Sequence, residues 1–225
     1  MDTKDIDGKR HSERKRWTPI SAAERHSRLI QAAICVIARD GLPATSTRSV
    51  ALEAGMNQAM LHYTFASKEE LLLAVLDAMH GEARTIIEKG ARSAVTLEKA
   101  IRRASAAYWK HVQINPALHK AQYELTLYAL TSPNSPDLAR KQYDGYVDIL
   151  LHTFAHIEPH RPRAQLEQIA AACIAAMDGL ILQFLAGGNV KSCGSRLKWI
   201  IDAICSAAAA EPKASEQKRR RNRAQ

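Results

Sequence analysis

The stretch that decides the fold is GLPATSTRSVALEAGMNQAMLHYTFASK, residues 41–68. It holds two short segments with helical start and stop signals. The first runs from about Thr47 to Ala54, with Ser46 or Thr45 as N-cap, and Gly55 closes it. The second spans about residues 58–64 and is capped by Asn57. Helix, glycine-containing tight turn and short helix make the layout of a helix-turn-helix, in which the second helix enters a DNA major groove and the first braces it. Val50, Ala51 and Ala54 fall where they face a core beneath the turn, and the small Ala51 suits a close helix crossing. Leu61 and Phe65 are assigned to the same core, and Met60 to an adaptable filler.

On the N-terminal side, Ser21 and Glu24 form an S-x-x-E capping box that opens a helix. Leu29, Ile30, Ala33, Val36 and Ile37 give it a broad apolar stripe, and Asp40 with a left-handed Gly41 stops it. On the C-terminal side, a second box, Ser67 with Glu70, starts a long helix that carries Leu71, Leu72, Val75, Leu76 and Met79 to about Gly90. Apolar spacings of three and four predict further helices over 96–114, 116–131, 136–157, 163–186 and 195–210. Pro116 and Pro136 follow the N-cap candidates Asn115 and Ser135, where a helix start tolerates proline. With no alternating run and no internal repeat, the fold class is all-α.

Composition narrows the function classes. Of 225 residues, 46% are hydrophobic and 24% charged, as in an ordinary globular chain. No apolar run is expected to reach the roughly 20 residues that cross a bilayer. The charged residues 1–17 lack a signal-peptide core, so a cytoplasmic location is expected. Cys35, Cys173, Cys193 and Cys205 show no ligand-like spacing and are read as reduced and mostly buried. The net charge of +9 sits largely at the ends: residues 1–17 hold six Lys/Arg against four Asp/Glu, and residues 211–225 six against two. Basic tails of this kind hold phosphates without reading sequence, and both are expected to be disordered. Residues 18–75 carry five basic and five acidic side chains, so only the motif geometry marks them as a DNA-binding unit.

Gly41, the Ala44-Thr45-Ser46 run, Val50-Ala51, Ala54-Gly55, Leu61, Tyr63, Phe65 and Ser67-Lys68 followed by Glu70-Leu71-Leu72 together resemble the tetracycline-repressor (TetR) family of regulators over residues 25–75. Farther on the similarity is one of layout, including Asp178-Gly179-Leu180 inside a late apolar helix. The resemblance implies a homodimer that sets its two 58–64 helices in successive major grooves of a near-palindromic operator. It implies that helices 163–186 and 195–210 pair with their mates as a four-helix bundle, and that the chain represses transcription until a small molecule binds the C-terminal domain.

Within that frame each DNA-facing candidate has a chemical reason. Thr45 and Ser46 lie at a helix N-terminus, which serves phosphate binding, capping or both. Arg48 points outward in the first turn toward phosphate or a base edge. Gln58 and Asn57 have the amide geometry that pairs with adenine, and the Ala59 methyl suits a thymine methyl; Asn57 is equally a pure cap. His62 stands where the family often has a second aromatic residue, Tyr63 beside it offers a phosphate hydrogen bond, and Thr64 replaces a frequent His or Tyr. Lys68 is the expected phosphate anchor.

The chain is expected to divide into a basic tail 1–18, a DNA-binding domain 19–66, an effector-binding and dimerisation domain 67–210 and a basic tail 211–225. Candidate effector residues are Tyr108, Trp109, His111, Tyr123, Tyr128, Tyr143, Met177 and Phe184, with plain core packing as the competing role for each. The effector itself is expected to be apolar or amphipathic. Enzymatic motifs are absent from the sequence, and Asp178 is expected to bond locally or to line the dimer interface. His152, His156 and His160 have ligand-like spacing but no evident partner, and nothing marks Cys193 as a redox thiol, so neither metal nor cofactor is expected. A non-specific DNA-coating protein is the remaining alternative, favoured by the tails and opposed by the helix-turn-helix.

Overall fold

The computed structural model describes residues 20–131 and 137–210. The basic tails and residues 132–136, with the helix start expected at Ser135-Pro136, lie outside them. Among the described residues every regular element is a helix: α1 (Ala22–Asp40), α2 (Thr47–Glu53), α3 (Gln58–Thr64), α4 (Lys68–Ala91), α5 (Leu97–Ile114), α6 (Pro116–Thr131), α7 (Leu138–Ile157), α8 (Arg163–Leu185) and α9 (Val190–Ala210).

Side-chain caps set most of the starts. Ser21, Ser46, Asn57, Ser67 and Thr96 each accept a hydrogen bond from the backbone N–H three residues on. Neither expected capping box closes. The Glu24 carboxylate pairs instead with Arg28 at 2.6 Å, and Glu70 accepts from the Ala66 N–H at 2.6 Å. The closed box is Ser46 with Ser49, where serine takes the role usually given to glutamate. Asn115 does not cap α6; its side-chain amide turns back onto His111 Nδ1, 3.0 Å away, and finishes α5. The last helix begins at Val190 rather than 195, because Asn189 Oδ1 accepts from the Ser192 N–H at 3.1 Å.

Gly41 and Gly55 bracket α2 with φ of 79° and 67°, where a side chain is strained. Gly41 has ψ 157°, an extended exit rather than the left-handed helical one expected of it.

The apolar faces meet in two cores. One gathers α1, α2, α3, the first half of α4, and Ala121, Leu125 and Leu138 from α6 and α7. The other gathers the rest of α4 with α5, α7, α8 and α9 around Ile101, Ile149, Phe154 and Leu180. The expected division at 66/67 is therefore not a break in packing: α4 belongs to both cores, and α6 carries Leu125 in the first and Tyr123 against the second. In the second core α4 and α5 cross closely. A Cβ on Gly90 would lie 2.9 Å from the Ala107 Cβ and 3.1 Å from the Arg103 carbonyl oxygen. Gly90→Ala should therefore lower stability by about 1–3 kcal/mol through overpacking, read as a lower urea midpoint at constant m-value.

Helix α8 corrects one expectation. It is long and apolar enough to cross a bilayer by length and composition alone, with 33% of its most apolar stretch buried. Charged residues are sparse along it because both its sides are apolar.

Candidate nucleic-acid interface and effector cavity

Helix α3 is pinned by its back. Leu61 is fully buried and Phe65 is 2% exposed, while Asn57, Gln58, Ala59, His62 and Tyr63 face outward, Tyr63 at 82% exposure. Met60 and Thr64 are half-buried at the edge. Asn57 Oδ1 accepts from the Met60 N–H at 2.8 Å, so its capping role is realised. Gln58 Nε2 donates to Thr47 Oγ1 at 3.0 Å and lies 3.3 Å from His62 Nε2, which orients its amide on the exposed face. Arg48 is exposed beside Ser46.

Two positions differ from expectation. Thr45 is 4% exposed and its hydroxyl donates to the Gly41 carbonyl at 2.9 Å, so it closes the turn instead of facing a phosphate. Lys68 is half-buried; its ammonium donates to the Thr45 carbonyl at 2.8 Å and lies 5.6 Å from the Tyr128 ring centroid. Its first task is to hold the turn before α2. Glu124 of α6 supports the same turn, accepting from the Leu42 N–H at 3.3 Å. Arg25, which the sequence does not single out, donates to Thr64 Oγ1 at 3.1 Å and stands 5.3 Å from the Tyr63 ring centroid, adding a guanidinium beside the end of α3. That pairing spans 39 residues and has no local signal.

In the second core a narrow cavity of about 30 Å³ lies between α4, α5, α6, α7 and α8. That is room for a water or two, so a drug-sized molecule enters only if the walls part. Of the candidate effector residues, Tyr108 and Met177 line it. Tyr123 and Tyr143 act one step behind the wall, hydrogen-bonding the Asp178 carboxylate; the Tyr123 hydroxyl donates to Asp178 Oδ1 at 3.1 Å. His111 sits between Glu82, 3.7 Å away, and the rings of Tyr108 and His119. The other three expected residues are elsewhere. Trp109 and Phe184 pack edge-to-face at 5.5 Å on another side of the core, and Tyr128 lies under Lys68 in the first core.

Asp178, expected to bond locally or to line an interface, instead lines the cavity together with Ser105, Gln122 and Tyr146, none of which the sequence marks. Burial pushes its carboxyl above the usual range, and hydrogen bonds from Tyr143 and Tyr123 pull it partly back.

Burial also pushes His119 down to about 4, and neighbouring His111 acts in the same direction. In the unfolded chain a histidine titrates near 6.5. Between those values the unfolded state binds more protons, so this group makes folding less favourable as pH falls from about 6.5 toward 4 and has no effect well above that window. A His119→Phe variant should lose less stability than the parent over that range, as measured by urea midpoints at several pH values.

Among the described residues, no group of three or more His, Cys, Asp or Glu side chains is placed to hold a metal ion. Cys173, Cys193 and Cys205 are buried and Cys35 is exposed, all as free thiols. Burial pushes the Cys173 thiol up to about 12.

Two family models match the chain: bacterial regulatory proteins of the tetR family over residues 29–75, and the C-terminal part of BetI-type transcriptional repressors over residues 97–193. The chain is 29% identical to the HTH-type nicotine-responsive transcriptional repressor HdnoR of Paenarthrobacter nicotinovorans, across 74% of this chain and 87% of that protein. It is 26% identical to the HTH-type transcriptional regulator BetI of Brucella suis, across 84% and 94%. Its fold superposes on a TetR-family regulator structure from Rhodococcus sp. with a TM-score of 0.68 at 21% identity, covering 80% of this chain and 98% of that one.

Proposed function

We propose that this chain, which belongs to the tetracycline-repressor family and is a DNA-binding transcriptional repressor, acts as a homodimer released from a palindromic operator when a small molecule enters the α5–α8 cavity. The observation that carries the DNA half of this reading is the anchoring of α3: its back is buried through Leu61 and Phe65 while Gln58, Ala59, His62 and Tyr63 stand exposed on one face. Gln58 and Ala59 read base edges, and Asn57 adds to them beyond its cap. Ser46, Arg48, His62 and Tyr63 contact the backbone and fix the register, joined by the N–H of Lys68 that the turn carbonyls leave unused; Thr64 instead spends its hydroxyl proton on the Met60 carbonyl at 2.8 Å and holds Arg25 in place.

The outer faces of α8 and α9 supply the dimer contact. Leu182 is 50% exposed and Trp199 is 73% exposed, on helices whose other sides are buried in the second core. An apolar helix left this open suits a second copy of itself. Helix α6 supplies the coupling. Gln122 lines the cavity and Tyr123 bonds the Asp178 carboxylate in its wall, while Glu124 and Tyr128 support the turn that carries α2, the latter through Lys68. A molecule that favours one position of α6 over another therefore biases the setting of the two α3 helices; one that favours neither shifts nothing. A relative named as nicotine-responsive supports a small-molecule effector for this chain as well. The family are regulators rather than enzymes, in keeping with a site that only binds.

Selection of bound sites from random DNA tests the reading. One near-palindrome with half-sites about one helical turn apart is expected; enrichment of no sequence would instead identify a coating protein. On the selected operator, Gln58→Ala should lose about 1–3 kcal/mol of affinity and relax preference at one position per half-site. Binding to random DNA should stay as it was. Equal losses on both would remove Gln58 from base reading.

A further inference from the structure

The charges of the DNA-facing unit say more by their placement than by their sum. Residues 18–75 carry five basic and five acidic side chains. Arg28 is paired with Glu24 at 2.6 Å, and Arg39 with Asp40 at 2.9 Å and Glu53 at 2.8 Å. Lys68 gives its ammonium to the Leu42 and Thr45 carbonyls. Among the described residues of this unit, Arg25 and Arg48 are the two arginines without a carboxylate partner. They flank α3. Arg48 follows Thr47, whose hydroxyl accepts from Gln58 at the head of that helix. Arg25 reaches across from α1 to Thr64, the last residue of the same helix.

Arg25 is also held in place. It is half-buried, and its Nε donates to Thr64 Oγ1 at 3.1 Å. That oxygen is a committed acceptor, because its own proton goes to the Met60 carbonyl at 2.8 Å. The guanidinium carbon stands 5.3 Å from the Tyr63 ring centroid. These contacts use the Nε–H and one face of the group, and leave the Nη–H donors of the fork. Such a fork fits two phosphate oxygens, and one already fixed in direction loses less rotamer freedom on binding. We propose that Arg25 is a phosphate-binding residue of the operator interface, contributed by α1 and aimed by Thr64 and Tyr63. With Arg48 it grips the DNA backbone at the two ends of α3. This role presupposes that α3 lies in the major groove, and it gives α1 a direct part in binding besides its place in the core.

Two substitutions in the full-length protein isolate the site from the charge. Arg25→Gln and Arg28→Gln remove the same charge from the same helix one turn apart. Each is titrated with the selected operator duplex over a range of salt concentrations. Each lost phosphate contact flattens the slope of log Kobs against log salt by about 0.9 unit. With two half-sites, Arg25→Gln should flatten it by about two units and weaken binding about tenfold or more at low salt. The urea midpoint and the preferred sequence should stay those of the parent, since a phosphate contact carries no base information. Arg28→Gln should change the slope far less. Arg25→Lys should restore the slope but only part of the affinity, because the ammonium lacks the Nε–H and the planar fork. Neutral methylphosphonates placed singly in the operator should reveal one position per half-site that costs the parent affinity and costs Arg25→Gln nothing. An unchanged slope in Arg25→Gln, an equal flattening in Arg28→Gln, or no such phosphate would each overturn the assignment. A lowered urea midpoint with the parent's slope would reduce Arg25 to a brace for Thr64. If the parent selects no operator, the DNA-reading role of α3 fails; an operator selected as expected with the slope of Arg25→Gln unaltered removes Arg25 alone.

Discussion

Replacing Phe65 with alanine should cost about 3–5 kcal/mol of stability and take most specific DNA binding with it. Phe65 is 2% exposed, ends α3, and packs 5.0 Å from the ring centroid of His26 on α1. It joins Leu61 as one of two large side chains that fasten the recognition helix to the first core. Truncation leaves a cavity directly behind α3, so the exposed residues lose their fixed orientation even in molecules that remain folded. Denaturant melts should show the loss in stability. Operator titrations performed well below the midpoint should show a fall in affinity exceeding the unfolded fraction. Phe65→Leu, which keeps most of the volume, should recover the greater part of both. If Phe65→Ala left operator affinity intact, α3 would not depend on this anchor and the DNA-facing assignment would lose its basis.

Charging the outer face of the last two helices should have an equally large effect of a different kind. Leu182→Glu and Trp199→Glu, made separately, each place a carboxylate on the face proposed to meet a second copy. Neither side chain belongs to the buried core, so each variant should keep its helical content and melting behaviour at low concentration. Sedimentation should instead show a shift from dimer to monomer, because a desolvated charge facing its own symmetry mate has no partner. Affinity for the two-half-site operator should fall about 10²- to 10⁴-fold, since the second half-site is no longer held at high effective concentration. Affinity for a single half-site should change little. Variants that stay dimeric would place the dimer contact elsewhere on the surface.

The signals that were readable along the chain are short in range. Asn57 caps α3 and Ser67 caps α4 through bonds to a backbone only three residues away, so composition at the helix start carries the information. Leu61 and Phe65 are four apart and share a helix face, which fixes their common burial. Where a competing partner lies within reach, the same local rules mislead: Arg28 takes Glu24 from its box, and Ala66 takes Glu70. The candidate effector residues separate in space for a related reason. Tyr108 and Trp109 are neighbours in sequence but point about 100° apart around α5, so one lines the cavity and the other packs on Phe184.

All-helical architecture, the helix-turn-helix and the starts of α1 to α5 followed from spacing and caps, because these bonds close within one or two turns of chain. The cavity, its lone acid and the brace beneath α2 arise from meetings across long separations: Tyr123 with Asp178 over 55 residues, and Glu124 with Leu42 over 82. No periodicity encodes such pairs. They exist only once α6 is laid between the two cores, and that placement is set by the packing of whole helix faces rather than by any local sequence.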